Sequence, residues 1–202
     1  MSGPAPEVAE TLRDRYTLER ELGRGGMATV YLAHDRKHDR LVAFKLLHSD
    51  LAHTLGPDRF RREIRLAARL QHPHILGVFD SGDAAGRLWF TMPYVEGESL
   101  RDRLRREGQL ALSDAVRIAR EVADGLDFAH RHGVIHRDVK PENILLSDGH
   151  ALVADFGISR ALVGDESDEA LTETGVSIGT PAYMSPEQAT GQAVDARTDV
   201  YA

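Results

Sequence analysis

Hydrophobic and polar positions alternate with a period of two over the first part of the chain and with a period near 3.6 over much of the second. Tyr16 to Leu22 alternates; a Gly-rich turn follows, then Thr29 to Ala33, a polar turn, and Leu41 to Leu47, which together predict three short strands. Residues 57–70 predict a helix with Phe60, Ile64, Ala67 and Ala68 on one face, ended by Pro73. Val78 to Ser81 and Arg87 to Met92 predict a hairpin across a Gly-containing turn, and Pro93 to Gly97 a connector. Beyond it, Ser99 to Glu107 predicts a short helix. Residues 114–131 predict a long one, with Ala115, Ile118, Ala119, Val122, Leu126 and Ala129 on one face. Two short strands are expected near Ile144–Leu146 and Leu152–Ala154, then a long polar loop to about Pro186. Residues 1–15 are polar, with two prolines, and are expected to be a flexible N-terminal tail. A strand-rich domain over 16–95 followed by a helix-rich domain over 96–202 is an α+β arrangement, with a cleft expected between the two.

Composition narrows this. With 202 residues, 42% hydrophobic and 28% charged, the chain can bury a core and is neither disordered nor collagen-like. Apolar runs reach about five residues, as in Ile75 to Phe79, so no membrane segment is expected. The start, MSGPAPEVAE, has no basic and apolar leader pattern. Cysteine is absent, which removes disulfides, thiolate catalysis and Cys-ligated zinc and fits a cytoplasmic setting. A net charge of −7 argues against a nucleic-acid partner. The charge is uneven: residues 1–101 carry net +1 and residues 102–202 net −8, with five acids and no base between Asp165 and Glu173. Only 3 of 25 basic residues are lysine. Where arginine is the default cation, a retained lysine suggests a need for a compact point charge. Lys37 lies in a polar turn; Lys45 and Lys140 lie in motifs.

Four motifs carry chemistry. Gly23-Arg-Gly25-Gly26 between two strands could pass backbone N–H groups close over phosphates. A strand rather than a helix follows, which disfavours a dinucleotide fingerprint. Val42-Ala43-Phe44-Lys45 ends a strand, and Glu63, 18 residues on in a helix, is a candidate partner to aim Lys45 at phosphate oxygens. His136-Arg-Asp138-Val-Lys140-Pro-Glu-Asn143 is more specific. Asp138 can accept a hydroxyl proton, Lys140 can neutralise a transferring phosphoryl group, and Asn143 can offer oxygen to a hard cation. His136 is expected to be a packed core histidine. Asp155-Phe156-Gly157, 17 residues after Asp138, adds a second oxygen ligand of the kind Mg²⁺ takes.

Together with Ser185-Pro186-Glu187, these ordered motifs resemble the protein kinases from Tyr16 to Ala202, and GTPAYMSPEQA is similar to the eukaryotic-like Ser/Thr kinases of bacteria. The resemblance implies a two-lobed protein kinase-like fold with ATP in the cleft. Gly23, Gly25 and Gly26 would cover the phosphates, Val30 and Ala43 would roof the adenine, and Leu22 would belong to the same site. Lys45, paired with Glu63, would hold the α/β-phosphates. Met92 would sit at the back of the cleft, with Pro93, Tyr94 and Val95 as the hinge, and Leu145 would floor the adenine. Asp138 would be the catalytic base and Lys140 the γ-phosphate contact. Asn143 and Asp155 would hold Mg²⁺, with Mn²⁺ as the alternative. Asp-Val-Lys with Thr180 in GTPAY implies serine and threonine acceptors on protein substrates. Arg137 beside Asp138 implies control by phosphorylation.

The chain departs from the family in three places. Ala28 replaces the third glycine, and Val176 stands where many members carry a phosphorylated Thr, leaving Thr172, Thr174 and Ser177 nearby. Autophosphorylation at Thr172 and Thr174, through self-association, is the expectation. The chain ends inside what the resemblance makes a helix of the larger lobe, so this is read as a truncated catalytic domain, aggregation-prone and weakly active by itself. The expectation is that the face of Ile118, Val122 and Leu126 lacks cover, that Glu187 lacks its partner, and that any membrane anchor lies beyond residue 202. A nucleotide-binding module without turnover, a small-molecule kinase and a non-functional gene fragment are the competing readings. Retention of Lys45, Asp138 and Asp155 disfavours the first, and the GTPAYMSPE segment disfavours the second.

Overall fold

The computed structural model describes residues 6–49, 56–156 and 181–202. They fall into two compact units. Unit 1 comprises Met1–Ala68 and Gly77–Val95, and unit 2 comprises Arg69–Leu76 and Glu96–Ala202. The chain changes unit at Val95 and Glu96. Residues 69–76, placed with the strand-rich domain on sequence, belong to unit 2 instead.

Unit 1 is a five-stranded antiparallel sheet in the order β1-β2-β3-β5-β4, formed by β1 (Tyr16–Arg24), β2 (Ala28–Asp35), β3 (Arg40–Leu47), β4 (Asp80–Ala84) and β5 (Arg87–Pro93). The period of two sorts its side chains between faces. One face carries Tyr31, Ala33, Val42, Phe44, Leu46 and Trp89, which pack into one cluster with Tyr16. Phe44 stacks on Trp89 at 4.9 Å, and Tyr16 meets both rings edge-on.

The same cluster explains why residues 6–12, expected as part of a loose tail, form a helix. Pro6–Leu12 forms α1, and its Val8 and Leu12 are buried in the cluster. Two apolar residues four apart give a one-stripe helix something to bury, a signal masked by polar neighbours. Tyr16 donates to Asp80 at 2.9 Å, and burial together with that carboxylate pushes its phenol up to about 12.

The helix expected over 57–70 is α2 (Pro57–Ala67), with Phe60, Glu63, Ile64 and Ala67 buried and Ala68 exposed. The hairpin strand expected at 78–81 runs instead from Asp80 to Ala84, because Ala85 and Gly86 both take positive φ and pin a two-residue turn.

Unit 2 contains β6 (Glu98–Ser99), α3 (Leu100–Glu107), α4 (Leu112–Arg131), β7 (Ile144–Ser147), β8 (His150–Val153), α5 (Pro186–Ala189) and α6 (Ala196–Tyr201). Strands β6, β7 and β8 form a small antiparallel sheet. Residues 74–76 add a short parallel bridge to β8, with Leu76 N–H donating to Val153 and Val153 N–H to His74.

α4 packs on this sheet through Ile118, Val122, Gly125, Leu126 and Ala129. Gly125 is needed there: a Cβ would sit 3.0 Å from the carbonyl oxygen of His74. The expectation that Ile118, Val122 and Leu126 lack cover is therefore corrected, since all three are buried. Ala119 is exposed, and the large apolar side chains left in solvent on α4 are Leu112 and Val116, with Val200 and Tyr201 on α6. Among the described residues, no helix is long and apolar enough to cross a membrane.

Candidate functional site

In unit 1 the nucleotide-site candidates occupy the sheet face opposite the aromatic cluster. Val30 pairs with Lys45, Lys45 with Phe90, Leu32 with Ala43, and Ala43 with Met92. Directly paired residues and their i+2 neighbours share a face. Register therefore brings Val30, Ala43, Lys45 and Met92 together. Lys45 Nζ lies 5.8 Å from the Phe90 ring centre, and both Lys45 and Met92 are at least half-buried. Glu63 is buried on α2, which is exceptional for a carboxylate outside a functional or paired setting. Pro93 ends β5, and Tyr94 and Val95 follow it, half-buried.

The Gly-rich segment is the turn between β1 and β2. Leu22 lies in β1, Gly23 pairs with Val30, and Gly25 N–H donates to Ala28 at 2.9 Å. None of Gly23, Gly25 and Gly26 has positive φ. Their lack of a side chain leaves open space over the turn: a Cβ on Gly23 or Gly26 would meet nothing within 4 Å. Ala28, in place of a third glycine, is an ordinary buried strand residue paired with Leu47 and needs no glycine geometry.

Sequence reasoning missed His48. Its Nδ1 lies 3.1 Å from the Gly26 carbonyl, which can only accept, so Nδ1 carries the proton and Nε2 accepts from Thr29 at 3.3 Å. The imidazole thus ties the glycine turn to the end of β3.

In unit 2 the loop after α4 converges on Asp138. Lys140 Nζ donates to Asp138 Oδ2 at 2.6 Å. Asn143 Nδ2 donates to the same oxygen at 3.1 Å and to the Asp138 carbonyl at 2.8 Å. Asn143 is buried, and both of these bonds use its amide nitrogen, which leaves Oδ1 for a cation. The Asn143 carbonyl accepts from Ala154 N–H at 2.8 Å, which holds the residue before Asp155 against the loop. Leu145 sits in β7, paired with Leu152. Among the described residues, no group of three or more His, Cys, Asp or Glu could hold a metal by itself. Asn143 and Asp155 instead fit a hard cation that shares its shell with phosphate oxygens and water.

His136 is the packed histidine expected, and it also does positional work. It is fully buried and edge-on to Phe156 at 4.7 Å. Its Nε2 lies 2.8 Å from the Ala154 carbonyl and its Nδ1 accepts from Asp138 N–H at 3.2 Å, which places the ring proton on Nε2. Arg137 and Asp155 both have left-handed backbone, at φ 67 and φ 68. Non-glycine residues hold that conformation only where their surroundings enforce it.

For Arg137 the enforcing group is Asp199, another residue sequence reasoning missed. Buried on α6, it accepts from His136 N–H at 2.8 Å, from Arg137 N–H at 2.7 Å and from His130 at 2.7 Å. No local motif marks it; it is one aspartate among many, 61 residues after Asp138.

Two further contacts frame the loop. Arg101 on α3 donates to Glu142 at 2.8 Å and to the Tyr183 hydroxyl at 2.7 Å. Burial opposes ionisation of Glu142, but Arg101 outweighs it and holds the carboxyl below the usual glutamate range. Glu187, expected to lack an Arg partner, accepts from Thr198 Oγ1 at 2.6 Å, and that bond lowers its carboxyl. Gly157 and the loop hydroxyls Thr172, Thr174, Ser177 and Thr180 lie outside the described residues.

Residues 16–202 match the family model of the protein kinase domain. The chain is 48% identical over 198 residues to serine/threonine-protein kinase PknB of Mycolicibacterium smegmatis, covering 94% of this chain and 31% of that protein. It is 41% identical over 202 residues to the probable serine/threonine-protein kinase pknA2 of Bifidobacterium longum, covering 96% of this chain and 26% of that one. The crystal structure of the Mycobacterium tuberculosis PknI kinase domain superposes with a TM-score of 0.69 at 34% identity, over 91% of this chain and 68% of that one. The chain thus spans about a third of the length of the curated relatives it matches.

Proposed function

This chain belongs to the protein kinase domain family, and from that premise we propose that it carries out transfer of the γ-phosphate of ATP to serine and threonine hydroxyls of proteins. The observation that carries the reading is the convergence of Lys140 and Asn143 on Asp138. A carboxylate held by two donors through one oxygen is fixed in direction and can take a proton through the other. Lys140 is close enough to move between Asp138 and an incoming phosphoryl oxygen. Lys45, on the nucleotide face of unit 1, would hold phosphate oxygens, with Glu63 as its support. Leu22, Val30, Ala43, Met92, Tyr94 and Val95 of unit 1 supply apolar and backbone surface suited to an adenine, and Leu145 would serve the same base from unit 2. Asn143 and Asp155 would hold Mg²⁺, which when bound neutralises charge on the phosphates.

Two substitutions separate the roles in the intact protein. Asp138→Asn is expected to lower kcat by roughly 10²–10⁴ with little change in ATP affinity. Asp155→Asn is expected to weaken Mg²⁺-dependent nucleotide binding. Equal loss of nucleotide binding in both would sink this division of labour. Regulation by autophosphorylation at Thr172 and Thr174 belongs to the same proposal, since a phosphate adds about −1.5 to −2 charge that Arg137 could receive. Mass spectrometry of fully active enzyme finding those residues unmodified would remove that part.

A further inference from the structure

α5 opens with a reciprocal cap. Ser185 Oγ accepts from Gln188 N–H at 3.3 Å, and Gln188 Oε1 accepts from Ser185 N–H at 3.1 Å. The amide nitrogen of Gln188 takes no part in this cap. It donates instead to the carbonyl of Arg137, at 2.8 Å. A cap by itself would favour glutamate here, because a carboxylate makes the same reciprocal bond and its charge suits a helix N-terminus. A carboxylate cannot donate to a carbonyl. Glutamine satisfies both demands.

The peptide that Gln188 reaches is the one joining Arg137 to Asp138. Its carbonyl is held by Gln188 and its N–H by His136 Nδ1. The preceding N–H, of Arg137, is held by Asp199. Rotation of this peptide, about ψ of Arg137 and φ of Asp138, would re-aim Asp138, and the left-handed backbone at Arg137 is a conformation that has to be held by its surroundings. Two of these three restraints come from one corner of the chain. Gln188 lies on α5 and Asp199 on α6, and Thr198 Oγ1 donates to Glu187 at 2.6 Å while the buried Ser185 hydroxyl donates to Thr198 at 3.4 Å.

Resting on the kinase reading above, we propose that Gln188 is a positioning residue for phosphoryl transfer, acting through the Arg137 carbonyl to fix the direction of Asp138. It makes the S-P-E-Q segment part of the alignment of the catalytic aspartate.

Gln188→Glu is the discriminating variant, because it keeps an acceptor for Ser185 N–H and loses the donor to Arg137. Gln188→Leu loses both. In the intact protein, Gln188→Glu is expected to lower kcat about tenfold, with KM for ATP changed less than about twofold. Its melting temperature should stay within about 2 °C of wild type, while Gln188→Leu also melts earlier. Amide hydrogen exchange over residues 136–139 should accelerate in Gln188→Glu. Unchanged kcat with unchanged exchange there would overturn the proposal. So would equal losses of melting temperature in both variants, which would assign the whole effect to the cap. A wild-type protein that transfers no phosphate would instead refute the kinase reading, and the exchange comparison would still decide whether Gln188 holds the loop.

Discussion

The sheet face of unit 1 proposed for the nucleotide and the Asp138 loop of unit 2 are built by opposite means. In unit 1, Val30, Ala43, Lys45 and Met92 are placed by strand register alone, in a regular sheet. The glycine turn above them uses no left-handed residue. In unit 2 the candidate residues sit in irregular backbone, with Arg137 and Asp155 at positive φ, and the loop is held by long-range bonds from Asp199 and Gln188 and a local one from His136. A sheet distributes positional information over many equivalent hydrogen bonds. A strained loop concentrates it in a few buried polar groups, each of which is then costly to remove.

The largest test of this contrast is Asp199→Ala. It leaves the N–H groups of His136 and Arg137 buried without their acceptor, and about 3–5 kcal/mol of stability should be lost, read by urea denaturation. A loss under about 1 kcal/mol would mean the loop holds its own shape. Next comes a pair of glycines. In Gly97→Ala the new Cβ would overlap the carbonyl oxygen of Leu146, a backbone atom of β7, and a loss of about 3 kcal/mol is expected. In Gly25→Ala the Cβ would meet only the Ala28 carbonyl, 3.9 Å away, and stability should stay within about 0.5 kcal/mol. Equal melting shifts would erase the distinction between a packed and an open glycine.

The smallest effect sharpens the comparison inside unit 2. Glu121 on α4 accepts from Ala151 N–H at 2.7 Å, from His150 at 3.0 Å and from Arg117 at 3.2 Å. Burial raises its carboxyl pKa, but these donors prevail and hold it below the ordinary glutamate value of 4.5. A lowered folded value means stabilisation that is fully present above the unfolded value and is lost as pH falls through the folded one. Glu121→Gln should therefore lose about 1 kcal/mol at neutral pH, and the difference from wild type should shrink below about pH 4. A difference that persists undiminished in acid would show that shape, not charge, is what Glu121 contributes.

Much of this was legible in the chain itself. Periodicity of two located β1, β2, β3 and β5, and the spacing from Lys45 through Asp138 and Asn143 to Asp155 carried the resemblance to the protein kinases that the family match bears out. Boundaries were less legible. β4 moved by two to three residues because the positive φ at Ala85 and Gly86 sets the hairpin register. The polar-looking start hid α1, whose two buried residues matter only because Phe44 and Trp89 offer a surface to cover.

What the sequence determined alone is the inventory: that β1, β2, β3, β5, β7 and β8 form, most of the buried faces of α2 and α4, and which carboxylates, lysines and amides are available. Strand periodicity and motif spacing are local properties, and local rules read them. Only the tertiary structure decided how Asp138 is aimed. His48 and Asp199 are common residues with no motif of their own, and Gln188, though inside the GTPAYMSPEQA segment, is marked there by nothing that predicts its bond to Arg137. Their effect depends on a carbonyl or N–H that lies 22 residues away for His48, 51 for Gln188 and 62 or 63 for Asp199. A buried hydrogen bond takes its strength from the exclusion of water around both partners, and that exclusion exists only once the chain has folded.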